Sequence, residues 1–206
     1  MSFIPVSQKP MTWVDCETTG LDEHLNDIID IAIIRVERDG TEKVINAKIA
    51  MERPENAHPK ALEVNGYTPE AWAGAPSVRE VFEFIHREKI LQDCILAGQN
   101  VQSDARFVNA TFKRLGIDAR VDYHLYDTVT LALEHLKPYL KSVSLVPVCV
   151  ALGISIDNAH TAMADCRMAM AVHRVLTTAT PEERAEWPSL IPGRLAAWEA
   201  QKGHSR

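Results

Sequence analysis

The chain has 206 residues, which suits one sizeable domain, and 46% of them are hydrophobic, enough to bury a core. The formal net charge of −6 argues against a broad basic surface that grips long nucleic acid, since such binding depends on many phosphate contacts. Because the sequence has neither an apolar run of membrane-spanning length nor a C-x-x-C pair, we expect a cytoplasmic protein with reduced thiols and no membrane partner.

The first quarter of the chain predicts three β-strands. "MTWVD" (residues 11–15) is the first, and "DIIDIAIIRVERDG" (27–40) contains the second, which ends at an Asp-Gly turn. "TEKVINAKIAM" (41–51) is the third. Strands joined by such short turns are antiparallel neighbours, so we expect an antiparallel meander here.

The middle of the chain predicts mainly helices. Short helical pieces are expected in residues 58–66 and 68–74, and a full amphipathic helix in residues 77–91, where Ser77 and Glu80 have the spacing of a capping box. A strand at residues 94–98 and a helix at about residues 101–115, ended by Gly116, follow.

The last part of the pattern alternates a strand with helices. A strand is predicted around residues 121–127, followed by helices in three segments, which are 128–136 (capped by Asp127), 143–153 (with Pro147 near its start) and 161–179. Strands followed by alternating strands and helices indicate an α/β fold, a mixed sheet with helices on its faces. We place this domain at residues 1–178 and expect a tail at 179–206 with one short helix around residues 195–200.

Two carboxylates one residue apart, Asp15 and Glu17, stand at the end of the first predicted strand. Side chains alternate along a strand, so both acids face the same side and repel each other unless a cation lies between them. In proteins, the cation that relieves such repulsion is usually a hard divalent ion bound by oxygen ligands. The alternative is a polar strand end that faces water.

Two further acids and a histidine extend this set. Asp104 and Asp165 each lie near a predicted helix start, and His160 precedes Asp165 by five residues. Helix starts favour negative charge, so each aspartate alone has a purely structural explanation. Taken together, four carboxylates fit two Mg²⁺ or Mn²⁺ ions, and the imidazole then remains for proton transfer.

Asp30 lies within the apolar run "IIDIAII". A lone charge in such a strand costs free energy unless it is paired. We expect it to be hydrogen-bonded to backbone or to an edge residue and to have no catalytic role.

Three segments, "DCETTGL", "NVQSDARF" and "HTAMAD", resemble in order and spacing the motifs of the DEDDh (DnaQ-like) exonucleases of the ribonuclease-H-like superfamily. The resemblance covers about residues 13–175. It implies a ribonuclease-H-like mixed sheet of about five strands, the first three antiparallel, flanked by helices. It also implies that Asp15, Glu17, Asp104 and Asp165 bind two Mg²⁺ or Mn²⁺ ions, with Asp15 bridging, and that His160 is the general base on a mobile loop.

The resemblance further implies contacts to the terminal nucleotide. One departure from the family is Ser103, which stands where many members have an aromatic residue for base stacking. The residues expected to bind substrate are Thr18, Leu21, Asn65, Gly66 and Asn100.

The function implied by the resemblance is a metal-dependent 3′-to-5′ exonuclease that releases 5′-mononucleotides from the 3′ end of single-stranded DNA or RNA. Two alternatives stay open: an oligoribonuclease-like enzyme that degrades very short RNAs, and a proofreading or binding subunit that needs a polymerase partner. A homodimer also stays open, as does a protein partner that binds the tail, where Trp187 and Trp198 lie among apolar residues and prolines.

Overall fold

The computed structural model describes residues 4–203, and a five-stranded sheet forms its centre. The strands are β1 (Met11–Thr18), β2 (Ile28–Val36), β3 (Glu42–Lys48), β4 (Ile95–Gly98) and β5 (Leu125–Asp127), and they lie in the order β3-β2-β1-β4-β5. β1 pairs antiparallel with β2 and β2 with β3, whereas β1, β4 and β5 run parallel. The α/β class and the antiparallel arrangement of the first three strands are confirmed.

β1 is longer than the sequence predicts, because it continues through both acidic residues to Thr18. Its neighbour β2 is rich in isoleucine, and the first seven residues of β2 are buried. The pairing of the two strands places Asp15 opposite Ala32 and Glu17 opposite Asp30. Both acids are therefore in paired positions of β1 and lie on the sheet itself.

Helices cover both faces of the sheet. They are α1 (Pro59–Val64), α2 (Val78–Arg87), α3 (Val101–Leu115), α4 (Thr128–Leu136), α5 (Leu145–Leu152), α6 (Ala162–Thr178) and α7 (Pro181–Gly203), with 3-10 turns at Val6–Gln8 and Pro54–Asn56. α2 and α3 pack on the face of Val14 and Ile31, and α4 to α7 pack on the face of Trp13 and Ile34. None of the helices within residues 4–203 is both long and apolar enough to cross a membrane.

Two predicted helix caps are present. The Ser77 side chain accepts from the backbone N–H of Glu80, and the Glu80 carboxylate accepts from the backbone of Ser77, so the capping box of α2 is confirmed. The Asp127 carboxylate accepts from the backbone N–H of Val129 at 2.9 Å and caps α4. These local contacts satisfy helix-start N–H groups that otherwise lack partners.

Residues 69–74 form consecutive turns, so the prediction of a helical piece over residues 68–74 was wrong. Gly74 has a φ of 76°, which ends any right-handed helix at that point. The segment is held instead by Trp72, whose indole N–H donates to the carbonyl of Ile29 at 2.7 Å. A single side chain buried against β2 therefore fixes a segment with little secondary structure of its own.

The tail also differs from the prediction, since α7 runs for 23 residues where one short helix was expected. Pro188 and Pro192 cannot donate the helical hydrogen bond, and each normally breaks a helix. Packing outweighs this cost, because Ile191 is fully buried in the core on the α5–α6 face and Trp187 is half-buried beside it. The division of the chain at residue 178 stays a prediction.

Candidate active site

Three carboxylates converge where β1 meets the start of α6. Asp15 and Glu17 face the α6 side of the sheet, and Asp165 lies in the first turn of that helix. One carboxylate oxygen from each of the three lies within 4.8 Å of the other two. The structure therefore brings together three of the four predicted metal ligands in a group that is compact enough to share a cation.

Asp104 reaches the same end of β1 from α3, on the opposite face of the sheet. β4 pairs with β1 only as far as Trp13 and ends at Gly98. The N–H of Cys16 then donates to the Asp104 carboxylate at 2.9 Å. Asp104 thus binds the backbone of β1 beyond the end of its pairing with β4, and its charge also acts on Asp15.

The carboxylates raise one another's pKa. Burial raises the pKa of Asp15 well above its ordinary value, and the charges of Asp104, Asp165 and Glu17 raise it further. Burial, followed by the charges of Asp165 and Asp30, raises the pKa of Glu17 to about 7. Burial also raises the pKa of Asp104 to about 8, although the hydrogen bond from Cys16 opposes this.

This donor set fits a hard divalent cation. All its ligand atoms are carboxylate oxygens, which Mg²⁺ and Mn²⁺ prefer, and negative charges held this closely need a counter-charge when ionised. A cation among them would favour the charged form of each acid and lower its pKa. The cluster is therefore suited to bind divalent metal near neutral pH.

The thermal stability of the metal-free protein is expected to fall as the pH rises from about 5 to about 8. Carboxyl groups whose folded pKa is raised, such as Glu17 (to about 7) and Asp104 (to about 8), bind protons more tightly when folded, so deprotonation in this range favours unfolding. The melting temperature, measured across this range with a chelator and with excess Mn²⁺, checks the prediction. A metal-free profile that rises with pH would contradict it.

His160 lies in the turn just before α6 and is exposed. Its backbone N–H donates to the Asp165 carboxylate at 3.1 Å, and its φ is 71°, a left-handed conformation that is uncommon for a non-glycine residue. Thr161, the next residue, caps α6 through its side chain. The backbone therefore ties His160 to the carboxylate cluster and leaves its imidazole open to solvent.

Asp30 is buried beside the cluster, directly opposite Glu17 in the β1–β2 pairing. Burial raises the pKa of Asp30, while hydrogen bonds from the backbone of Ala162 and Ile31 and the nearby charge of Lys48 lower it. The expected backbone hydrogen bond is therefore confirmed. The bond to Ala162 also links β2 to the first residue of α6, the helix that carries Asp165.

A groove of about 640 Å³ opens beside the carboxylates. Its lining includes Glu17 and three predicted substrate residues, Thr18, Leu21 and Asn65. Gly66 follows Asn65 at a φ of 62° and lies outside the lining, as does Asn100, which precedes α3 and donates its N–H to Asp127. The substrate-binding roles of all five residues stay predictions.

Two apolar residues of this groove, Leu25 and Val64, were not predicted from the sequence. Their exposed fractions are 53% and 43%, and that of Leu21 is 91%, so three large aliphatic side chains face solvent around one groove. Leu25 could have been found from the sequence, because it is an aliphatic residue in the polar loop "LDEHLND", which has no predicted core position. Exposed apolar side chains that share a groove are typical of a binding site.

A model of the exonuclease family RNase_T matches residues 12–173, and the chain belongs to this family. The resemblance to DEDDh exonucleases with a ribonuclease-H-like fold is thereby confirmed.

Similar proteins include longer ones. The PolC-type DNA polymerase III of Thermotoga maritima is 32% identical over 157 residues, which are 75% of this chain and 11% of that protein. The PolC-type enzyme of Bacillus cereus is 29% identical over 151 residues, 73% of this chain and 10% of that protein. The chain therefore corresponds to a small part of these relatives.

Two exonuclease I structures share the fold. E. coli exonuclease I in complex with a dT13 oligonucleotide has a TM-score of 0.69 and 22% identity, covering 85% of this chain and 42% of that one. Exonuclease I from Methylocaldum szegediense has a TM-score of 0.68 and 22% identity, also covering 85% and 42%. This chain thus spans less than half the length of these enzymes.

Proposed function

We propose that the protein is a divalent-metal-dependent 3′-to-5′ exonuclease that hydrolyses the terminal phosphodiester of single-stranded DNA or RNA and releases 5′-mononucleotides. The observation that carries this proposal is the group of Asp15, Glu17 and Asp165, with Asp104 behind them, at the edge of an open groove. Membership of an exonuclease family supports the reaction class.

Each residue of the cluster has a distinct task in this proposal. Asp15, Glu17, Asp104 and Asp165 would hold the two Mg²⁺ or Mn²⁺ ions through their carboxylate oxygens. Bound ions of this kind make a water more acidic and neutralise charge on the phosphate. His160 accepts the proton of the attacking water, because imidazole is the side chain that most often takes up and releases protons near neutral pH, and this one is exposed beside Asp165.

The groove accommodates the last nucleotide. Leu21 offers an apolar surface to the base, and Thr18 and Asn65 lie on the wall nearest the carboxylates, where Asn65 is held by a 2.9 Å hydrogen bond from its amide to the carbonyl of Thr18. Gly66 and Asn100 contribute backbone and polar groups beyond the lining. A local grip of this kind suits a chain with a net charge of −6 better than binding along a duplex does.

Single-stranded DNA is the first substrate to test, because the exonuclease I structure of the same fold holds a dT13 oligonucleotide. The protein should be incubated with 5′-labelled DNA and RNA of matched sequence and several lengths, with Mn²⁺ or with a chelator. We expect a ladder that shortens from the 3′ end only when metal is present. Activity confined to very short RNAs would favour the oligoribonuclease alternative instead.

A second candidate is an editing nuclease that works beside a DNA polymerase, which the 32% identity to a PolC-type polymerase favours. In that case the isolated protein degrades a mismatched primer end slowly, and a replicative polymerase accelerates it. Comparison of matched and mismatched primer ends with and without such a polymerase separates this candidate from a free-standing exonuclease.

A further inference from the structure

The loop between β1 and β2, residues 19–27, forms one wall of the groove beside the carboxylates. It supplies Leu21 and Leu25, whose side chains project into solvent with exposed fractions of 91% and 53%. Side chains this exposed gain little support from their own packing, so their position depends on the backbone that carries them. What fixes that backbone therefore decides the shape of the groove.

Arg53 fixes this backbone from behind. Its guanidinium donates to the carbonyl of His24 at 2.6 Å, to the carbonyl of Asn26 at 2.5 Å and to the carboxylate of Asp27 at 2.8 Å. Arg53 itself is absent from the groove lining. One side chain that lies outside the groove thus holds three residues near the end of the loop.

Asp27 completes the attachment and is almost fully buried. Its carboxylate accepts from the backbone N–H groups of Glu52 and Arg53 at 2.9 and 2.7 Å, and Arg114 of α3 lies 3.8 Å away while pairing with Glu52 at 2.7 Å. The negative charges of Asp27 and Glu52 are therefore balanced by the positive charges of the two arginines. A buried carboxylate with this many donors resists displacement, because freeing it would leave a desolvated charge unpaired.

Asn26 connects the part of the loop that Arg53 holds with the earlier part of the same loop. Asn26 accepts from the N–H of Asp22 at 2.9 Å and donates to the carbonyl of Asn56 at 2.7 Å. A side chain on Gly20 would meet Asn26 at 2.4 Å, so the backbone passes directly against that amide. Movement of the Asn26 backbone would therefore be transmitted to the part of the loop that carries Leu21.

We infer that Arg53 is a positioning residue, which holds the β1–β2 loop so that Leu21 and Leu25 form the nucleotide-binding wall of the groove. This inference rests on the proposed function. Because the four carboxylates lie on β1, α3 and α6, outside this loop, loss of Arg53 weakens substrate binding and leaves the chemical step intact.

The test compares Arg53→Gln with Arg35→Gln. Arg35 is a matched control, since it also pairs with a carboxylate, Glu37, and donates to backbone carbonyls, but it does so at the other end of β2. We expect Arg53→Gln to raise KM for single-stranded DNA about tenfold at nearly unchanged kcat, as loss of charge-assisted hydrogen bonds would do. Arg35→Gln should leave both constants unchanged although it lowers the melting temperature.

Arg53→Lys separates the ion pair from the loop attachment. A lysine can pair with Asp27 but cannot also reach the carbonyls of His24 and Asn26, because it lacks the planar fork of donors. We expect its KM to rise as in Arg53→Gln. A lysine variant with the normal KM, or a glutamine variant that loses kcat alone, would overturn the inference.

Hydrogen exchange of the backbone gives a readout that does not need activity. The N–H of Asp22 and Asn26, protected by hydrogen bonds within the loop, should exchange faster in Arg53→Gln and normally in Arg35→Gln. Unchanged exchange would overturn the inference even if KM rose. A wild-type protein with no nuclease activity would instead refute the proposed function, and the exchange measurement would still decide whether Arg53 holds the loop.

Discussion

Replacement of Asp15 by asparagine is expected to lower kcat by about 10³-fold or more, since metal-ion catalysis is worth several kcal/mol and each ~1.4 kcal/mol is tenfold in rate. Asp15 lies among the other carboxylates, and Asp104, Asp165 and Glu17 all raise its pKa. The amide keeps the shape of the side chain and removes the charge that a cation needs. Steady-state kinetics with labelled single-stranded DNA and saturating Mn²⁺ measure the loss.

The same substitution has a second expected effect, in the opposite direction, on stability without metal. Removal of one of several repelling acids should raise the melting temperature in chelator at pH 8 and reduce the stabilisation that added Mn²⁺ gives. Asp39→Asn is the matched control, because Asp39 is an exposed acid in the β2–β3 turn. Full activity in Asp15→Asn, or an equal loss in Asp39→Asn, would refute the assignment of Asp15.

Substitution of His160 by asparagine is expected to slow the chemical step by a factor on the order of 10² to 10⁴, the usual contribution of a general base. Asparagine is the preferred replacement, because His160 has a φ of 71° and asparagine adopts this conformation more readily than alanine does. The backbone N–H that binds Asp165 is kept. Single-turnover rates across a pH series measure the effect.

Metal binding should separate the His160 variant from the Asp15 variant. The stabilisation of His160→Asn by Mn²⁺ should match that of the wild type, since the carboxylates are unchanged. His124→Asn is a suitable control, because His124 is also exposed and also contacts an aspartate, Asp122, at 2.9 Å. Normal single-turnover rates in His160→Asn would remove the general-base role from this residue.

Some of the site could be read directly from the sequence, because it depends on local geometry. The two-residue period of a strand places Asp15 and Glu17 on one face, and helix signals place Asp165 in the first turn of α6. The helix at residues 101–115 was predicted for the same reason, since Gly116 adopts a left-handed conformation that ends it. The relative positions of residues within one strand or helix do not depend on how the other strands and helices pack.

The elements that the sequence did not predict depend on contacts between distant segments. Trp72 fixes residues 68–74 through a bond to β2, and Ile191 holds α7 on the core in spite of two prolines. Local propensity favours a helical piece in residues 68–74 and argues against a long helix in α7. Burial of single large side chains outweighed propensity in both, which no pattern in either segment reveals.

The amino-acid sequence by itself determined the α/β class, the order of the acidic motifs and the face on which Asp15 and Glu17 lie. Only the tertiary structure decided that Asp104 binds the N–H of Cys16, that Asp30 links β2 to α6 and that Arg53 holds the loop of Leu21. The reason is physical: each of these contacts joins different segments of the chain, and its distance is set by how strands and helices pack rather than by the period of any one of them.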